Sequence, residues 1–298
     1  MVMRVSTFGQ TSTVLANALN TQAKLAQKQL QQSSGLLATD YAGLGTSAGA
    51  VVDMEVSVAR AKATISAAET ILTRVEEQHA VLGSMSDILT EMRTEISSVL
   101  SSVDTDALQM AAKEMLEEFT ALLNSQYQGR YLFAGSDTSV QPVDTSALAV
   151  TDLATPDTSY YLGDGVLQTA YLSEDRTLTY GVTADNTAFE EALRALSYMV
   201  TADPLDTADL EALNDLIVSA QDGVIALQSS MGYKAASLES LIEAQSEYVA
   251  AVEGLVTDLT SVDVAQVAVD AANYKTQLEA SYSALGTLTS LSLLDYLR

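Results

Sequence analysis

Few residues in this sequence have the chemistry of a catalytic or metal site. Cysteine is absent and His79 is the single histidine, so zinc sites and Ser/His or Cys/His nucleophilic sites have almost no side chains to form them. His79 lies on an apolar heptad seam, where a hydrogen-bonded core histidine is expected. Gly163-Asp164-Gly165 resembles a calcium or phosphate loop only superficially and predicts a turn, because no EF-hand spacing follows.

Paired carboxylates, the usual groups of general acid–base catalysis, occur at Glu76-Glu77, Glu117-Glu118 and Glu190-Glu191. Each pair lies in a segment with a helical pattern and is expected on its solvated surface. We therefore predict no catalytic, cofactor-binding or metal-binding residue and no cofactor, and we expect that the chain is not an enzyme.

The charge of the 298-residue chain excludes other classes of partner. With 39 acidic and 14 basic residues the net charge is −25, so neither nucleic acid nor an anionic membrane surface is a suitable partner. The three basic residues Arg4, Lys24 and Lys28 precede the first acidic residue, Asp40. This basic arm is expected to pair with acidic surfaces of its own chain or of a neighbour.

No segment reads as a membrane span or a cleavable signal. Arg4 is not followed by an apolar run of the length that a signal peptide needs, and no stretch of 18 apolar residues occurs. We predict no membrane insertion, and a route out of the cell would have to work without a cleaved signal.

Helical periodicity dominates both halves of the sequence. A first helix is predicted over about 12–32, with Gly35 as its C-cap. A second helix of about fifty residues has heptads from Val58 to Val103 that break at Ser86 and Arg93. A third is predicted from about 106 to 128. The strongest heptads run from Leu210 to Val262. A helix at 187–200 precedes them, and a final one follows.

Residues 137–186 differ from these helical segments, because they are acidic and rich in turns with short β-like runs. The predicted fold is mainly α with a small β insert: a long antiparallel coiled-coil-like helical hairpin, terminal helices beside it, and an all-β outer domain at the tip. The predicted domains are an N-terminal assembly and export arm (1–35), the two halves of a helical core (36–136 and 187–262), a small acidic β domain (137–186) and a C-terminal assembly helix (263–298).

Both terminal segments carry apolar faces for which no partner within the chain is expected, and the apolar C-terminal stretch is unusual for a soluble monomer. These faces predict an assembly interface. Its candidate residues are Leu15, Leu19, Leu25, Leu278, Leu285, Leu288, Leu293, Leu294, Tyr296 and Leu297.

Several segments resemble the flagellin superfamily, and in particular its hook-associated protein 3 family. They are Met3 to Thr7 with the helix that ends at Ser33-Ser34-Gly35, Gly129 to Ser136, Met231 to Lys234, and most specifically Tyr274 to Leu297. The family's polar stretch after Ser-Ser-Gly is replaced by Tyr41-Ala42-Gly43-Leu44-Gly45, which leaves the packing of that bend open.

This resemblance implies a secreted structural subunit of the extracellular flagellum, at the hook–filament junction and cytoplasmic before export. Its implied partners are another hook-associated protein, flagellin, its own subunits in a ring, and a cytoplasmic export chaperone at the C-terminal helix. Export would use the flagellar type III apparatus. Flagellin itself is the alternative, and a soluble helical sensor or enzyme is a more distant one.

Overall fold

The computed structural model describes residues 3–102, 105–148, 150, 152–173 and 176–290, and 75% of these described residues are helical. The elements in chain order are α1 (Met3–Ser34), α2 (Ala48–Ser102), α3 (Thr105–Leu123), β1 (Gln126–Tyr127), β2 (Arg130–Tyr131), β3 (Gln168–Ser173), β4 (Arg176–Tyr180), α4 (Thr187–Thr201), α5 (Thr207–Thr260) and α6 (Val264–Ser290), with 3-10 turns at Tyr41–Ser47 and Thr145–Ala147. The chain divides into a terminal unit, formed by Met1–Arg60 with Tyr248–Arg298, and a central unit, Ala61–Glu247.

In the central unit, α2 and α5 lie against each other in opposite directions. Arg93 Nη1 donates a hydrogen bond to Gln221 Oε1 at 2.7 Å. Earlier in α2 and later in α5, His79 faces Gly232, where a methyl group in place of hydrogen would lie 3.7 Å from the imidazole ring. Residue numbers rise along one helix as they fall along the other, which confirms the predicted antiparallel hairpin.

The apolar seam of α2 differs in register from the predicted one. From Ala68 to Val99 ten buried side chains recur in alternating steps of three and four: Ala68, Ile71, Val75, Gln78, Leu82, Met85, Leu89, Met92, Ile96 and Val99. Arg74 and Ile88, each next to a member of this series, are buried as well. Met85 and Met92 fill the positions that the predicted frame assigned to Ser86 and Arg93. One of the two heptad positions was therefore predicted one residue too late along α2. The apolar seam itself has no break at Ser86 or Arg93.

Helices α3 and α4 form the rest of the helical core around three phenylalanines. Phe189 of α4 lies 6.4 Å from Phe119 of α3 and 5.8 Å from Phe133, both in edge-to-face geometry. All three rings are fully buried, and each such ring pair adds about 0.5–1.5 kcal/mol beyond the burial of its area. Asn186 caps α4 by accepting a hydrogen bond from the Ala188 N–H.

The third helix ends earlier than predicted, and a hairpin with a two-residue turn follows it. The chain leaves α3 at Leu123, and β1 pairs antiparallel with β2. The turn residues Gln128 and Gly129 both have positive φ, 51° and 75°, which is the backbone that a tight hairpin needs and that glycine adopts without strain.

The all-β outer domain predicted for residues 137–186 is wrong. Within the described part of that range, the strands are one antiparallel pair, β3 with β4, and one isolated bridge between Val143 and Tyr161. The buried residues of the segment, among them Val143, Tyr160 and Leu172, belong to the same apolar cluster as the helices. About fifty residues enclose too little apolar area for a separate core, so the insert shares that of the helices.

In the terminal unit, the end of α1 is tied to the end of α5. Gly35 has φ of +71° and donates its N–H to Gln31 O at 2.8 Å, which confirms it as the C-cap of α1. Leu37 N–H then donates to Thr260 O at 2.7 Å, and Val262 N–H to Gly35 O at 2.9 Å. These bonds fix where the chain turns from α1 towards α2.

Candidate assembly interface

Helices α1 and α6 pack against each other in the terminal unit, also antiparallel. Lys28 Nζ lies 3.1 Å from Asp270 Oδ2, and Lys24 Nζ lies 5.9 Å from the centre of the Tyr274 ring. The hydrogen bond from Lys28 lowers the pKa of Asp270 below its usual value. The basic arm thus pairs with an acidic surface of its own chain, and the expectation that both arms lack a partner within the chain is wrong for their described residues.

Small side chains form the face that the two helices bury. Ala18 and Thr21 of α1 and Val267 and Ala271 of α6 are almost fully buried. Small residues let the two backbones approach closely, and Thr21 satisfies its hydroxyl by donating to Asn17 O at 2.9 Å. The candidate interface residues are all large, so they do not include these positions, although Ala18, Val267 and Ala271 recur at helical spacing in the sequence.

The predicted interface residues separate into three groups in the structure. Leu25, Leu278, Leu285 and Leu288 are half-buried and lie at steps of three, four or seven from the buried faces of α1 and α6. Leu15 and Leu19 are 48% and 57% exposed. The remaining four, Leu293, Leu294, Tyr296 and Leu297, lie outside the described residues.

The exposed leucines belong to a wider apolar surface on the two helices. Leu30 of α1 is 51% exposed, and Val269 and Tyr282 of α6 are 55% and 50% exposed. Single exposed apolar residues are common, but several large ones on two neighbouring helices are a usual mark of a protein–protein contact.

The Gly163-Asp164-Gly165 segment is a turn, as predicted, and its carboxylate has a structural partner. Asp164 Oδ1 accepts a hydrogen bond from the Ser136 N–H at 2.7 Å, and Oδ2 accepts one from the Ser136 hydroxyl at 2.5 Å. The hydrogen bonds from Ser136 lower the pKa of Asp164. The turn therefore joins the insert to the segment that follows β2.

One of the paired carboxylates is not solvated, contrary to expectation. Glu190 is 3% exposed and forms a bidentate ion pair with Arg194, with Nε–Oε1 at 2.9 Å and Nη2–Oε2 at 3.0 Å. Its Oε1 also accepts the Asp157 N–H at 2.9 Å, while Arg194 Nη1 donates to Leu153 O. The pair holds the insert on α4. The other two predicted pairs are exposed, as expected.

Among the residues that the structure describes, no helix is long and apolar enough to cross a membrane. Over the same ranges, no group of three or more histidine, aspartate or glutamate side chains is close enough together to hold a metal ion.

Comparisons with known proteins agree with this architecture. Residues 5–138 match the family described as the bacterial flagellin N-terminal helical region. A solved structure described as a flagellar hook-associated protein from Vibrio parahaemolyticus aligns with a TM-score of 0.61 and 16% identity, over 74% of this chain and 99% of that one. FlgL from Bacillus cereus aligns with a TM-score of 0.57 and 17% identity, over 70% and 98%. No curated protein sequence is recognisably similar to this chain.

The resemblance to the flagellin superfamily is confirmed in sequence over residues 5–138, and the resemblance to hook-associated proteins is confirmed in the fold. The chain therefore resembles the bacterial flagellin N-terminal helical region over residues 5–138 and has the fold of solved structures described as flagellar hook-associated proteins.

Proposed function

We propose that the chain is the subunit that joins the hook to the flagellin filament, forming a ring between another hook-associated protein and the first flagellin layer. The observation that carries this is the fold match over nearly the whole length of a flagellar hook-associated protein. The exposed apolar surface of α1 and α6, including Leu15 and Leu19, supports contacts with neighbouring subunits.

The proposal includes a location and a route. The subunit is exported through the flagellar type III apparatus without a cleaved signal, and a cytoplasmic chaperone covers its C-terminal helix before export. An exposed apolar surface on α1 and α6 gives a physical reason for such a chaperone, because it would otherwise promote early association. The predicted assembly residues Leu278, Leu285, Leu288, Leu293, Leu294, Tyr296 and Leu297 are part of this proposal.

Immunogold labelling of purified flagella tests the location. We expect label at the boundary between hook and filament, and deletion of the gene is expected to leave hooks from which flagellin is lost to the medium. Label along the whole filament would instead identify a flagellin, the alternative that also contains the N-terminal helical region.

A further inference from the structure

A small cleft in the central unit is lined by three parts of the chain: α2, the segment that follows β2, and the β3–β4 hairpin with the residues around it. Its volume is about 10 Å³ and it opens to solvent, so it has room for one group of about the size of a water molecule. Its polar lining includes Arg74, Gln168, Tyr180 and Thr183. We call this the Arg74 cleft.

Arg74 contributes a buried cation to the cleft without a counter-ion. The residue is 9% exposed and its Nη2 donates to Tyr131 O at 2.8 Å, but no carboxylate pairs with it in the described part of the chain. Burial lowers the pKa of Arg74 below its usual value, and of the charged groups near it Tyr180 raises that pKa while Arg130 lowers it. A guanidinium nevertheless stays charged in proteins, so this positive charge is buried with no negative charge to balance it.

The polar neighbours of this guanidinium bond to other groups. Tyr180 donates its hydroxyl to Gln168 Oε1 at 2.9 Å, and Gln168 Nε2 donates to Gly135 O at 3.2 Å. Gln78 donates through Nε2 to Leu132 O at 2.7 Å, and its unpaired Oε1 is shielded from the cleft. None of these neutral groups supplies the missing negative charge.

The guanidinium can still bind a group that enters from solvent. It has several N–H donors, and its one hydrogen bond within the described residues uses Nη2. The unpaired polar side-chain atoms that are shielded from solvent belong to Gln31, Gln78 and Thr120, so the remaining N–H groups of Arg74 are accessible from the cleft. Thr183, which lines the same cleft, adds a hydroxyl donor.

A water molecule in the cleft would accept hydrogen bonds but leave the positive charge unbalanced. An anion does both, and hydrogen bonds to a charged group are about twice as strong as neutral ones. The size of the cleft excludes phosphate and sulfate, whereas a halide ion is only slightly larger than water. We propose that the Arg74 cleft binds one small monovalent anion such as chloride, which joins α2 to the insert. This inference is independent of the proposed function.

Chlorine NMR of the full chain tests the site directly. Exchange with a bound state broadens the chloride signal, and we expect the excess broadening to be lost in Arg74→Met, which removes the charge but keeps much of the side-chain volume. Lys113→Met is the matched control, because it removes one positive charge at an exposed site on α3 and should leave the broadening unchanged. Bromide is expected to displace chloride from the unchanged protein, and sulfate at equal ionic strength is not.

Stability gives a second measurement. Replacing gluconate with chloride at constant ionic strength should raise the free energy of unfolding in urea, by up to about 1.4 kcal/mol for each tenfold increase in chloride, because the folded state alone binds the ion. Hydrogen exchange in β3 and β4 should become slower over the same range. Both responses are expected in Lys113→Met and should be absent in Arg74→Met.

Arg74→Met also removes a donor from Tyr131 O, so circular dichroism checks that it is folded. A crystal of the unchanged protein grown in bromide needs no variant, since anomalous scattering should place bromide beside Arg74. Broadening that Arg74→Met retains, sulfate that displaces chloride as well as bromide does, stability that does not depend on chloride, or no bromide beside Arg74 would each overturn the inference. A cleft that holds water alone would give the last two results.

Discussion

Replacing Glu190 with glutamine should destabilise the central unit severely. The substitution keeps the shape of the side chain but removes the negative charge, so the buried Arg194 loses the carboxylate with which its guanidinium forms a bidentate pair. Loss of one partner from a buried pair typically costs about 3–5 kcal/mol. The bidentate geometry and the additional bonds to Asp157 N and Leu153 O favour the upper part of that range.

The free energy of unfolding can be measured by urea titration, with hydrogen exchange on α4 as a readout specific to the central unit. Glu118→Gln is the matched control, because Glu118 is exposed on α3 and should change stability by less than about 0.5 kcal/mol. The double variant Glu190→Met with Arg194→Met removes both charges and should lose less stability than Glu190→Gln alone. If Glu190→Gln behaves like Glu118→Gln, the pair does not hold the insert on α4.

Three further predictions concern pH, close packing and assembly. Burial, and then the charge of Glu190, raise the pKa of Tyr160. The stability that the neutral phenol contributes is therefore present below about pH 10 and is lost as the pH rises above it. Tyr160→Phe should make the urea midpoint fall less steeply at alkaline pH. Gly223→Ala would place a methyl group 2.6 Å from Ala188 Cβ and should destabilise by about 1–3 kcal/mol in urea. Leu15→Asp should leave circular dichroism unchanged but prevent incorporation of the secreted subunit into flagella, because it places a carboxylate on a surface expected to be buried by neighbours.

Each of these has a control or a contrary outcome. If the urea midpoint of Tyr160→Phe declines with alkaline pH as steeply as that of the unchanged protein, the pKa of the Tyr160 hydroxyl is not raised in the folded state. Gly254→Ala, on the same helix with nothing within 4 Å, should stabilise by up to about 1 kcal/mol, so a similar effect at both glycines refutes the packing contact. Normal swimming in cells whose secreted subunit carries Leu15→Asp would exclude that surface from the interface.

The long helices could be predicted from the sequence because their apolar residues repeat at a fixed spacing. Leu210, Ile217, Val224, Met231 and Leu238 are all buried on α5, as the heptads indicated. The register of α2 was harder to predict. Leu72 and His79 follow directly after Ile71 and Gln78, so either series could be assigned to the same heptad position. Gln78 is polar, so the sequence does not mark it as a buried residue.

The features that were missed depend on contacts between distant residues. Glu190 looks like a surface residue until Arg194 and the backbone of Asp157 surround it. The insert reads as a separate β domain because periodicity reports strands but cannot report that Tyr160 donates its hydroxyl to Ala184 O inside the shared core.

The antiparallel pairing of α2 with α5 also constrains how the chain can fold during synthesis. Arg93 and Gln221, which bond across the seam, are 128 residues apart in sequence. At the usual rate of translation, α2 would wait on the order of ten seconds for its partner to emerge. Until then its apolar stripe is exposed to water or to other proteins, so the first half of the nascent chain cannot complete a stable native core before the second half is made.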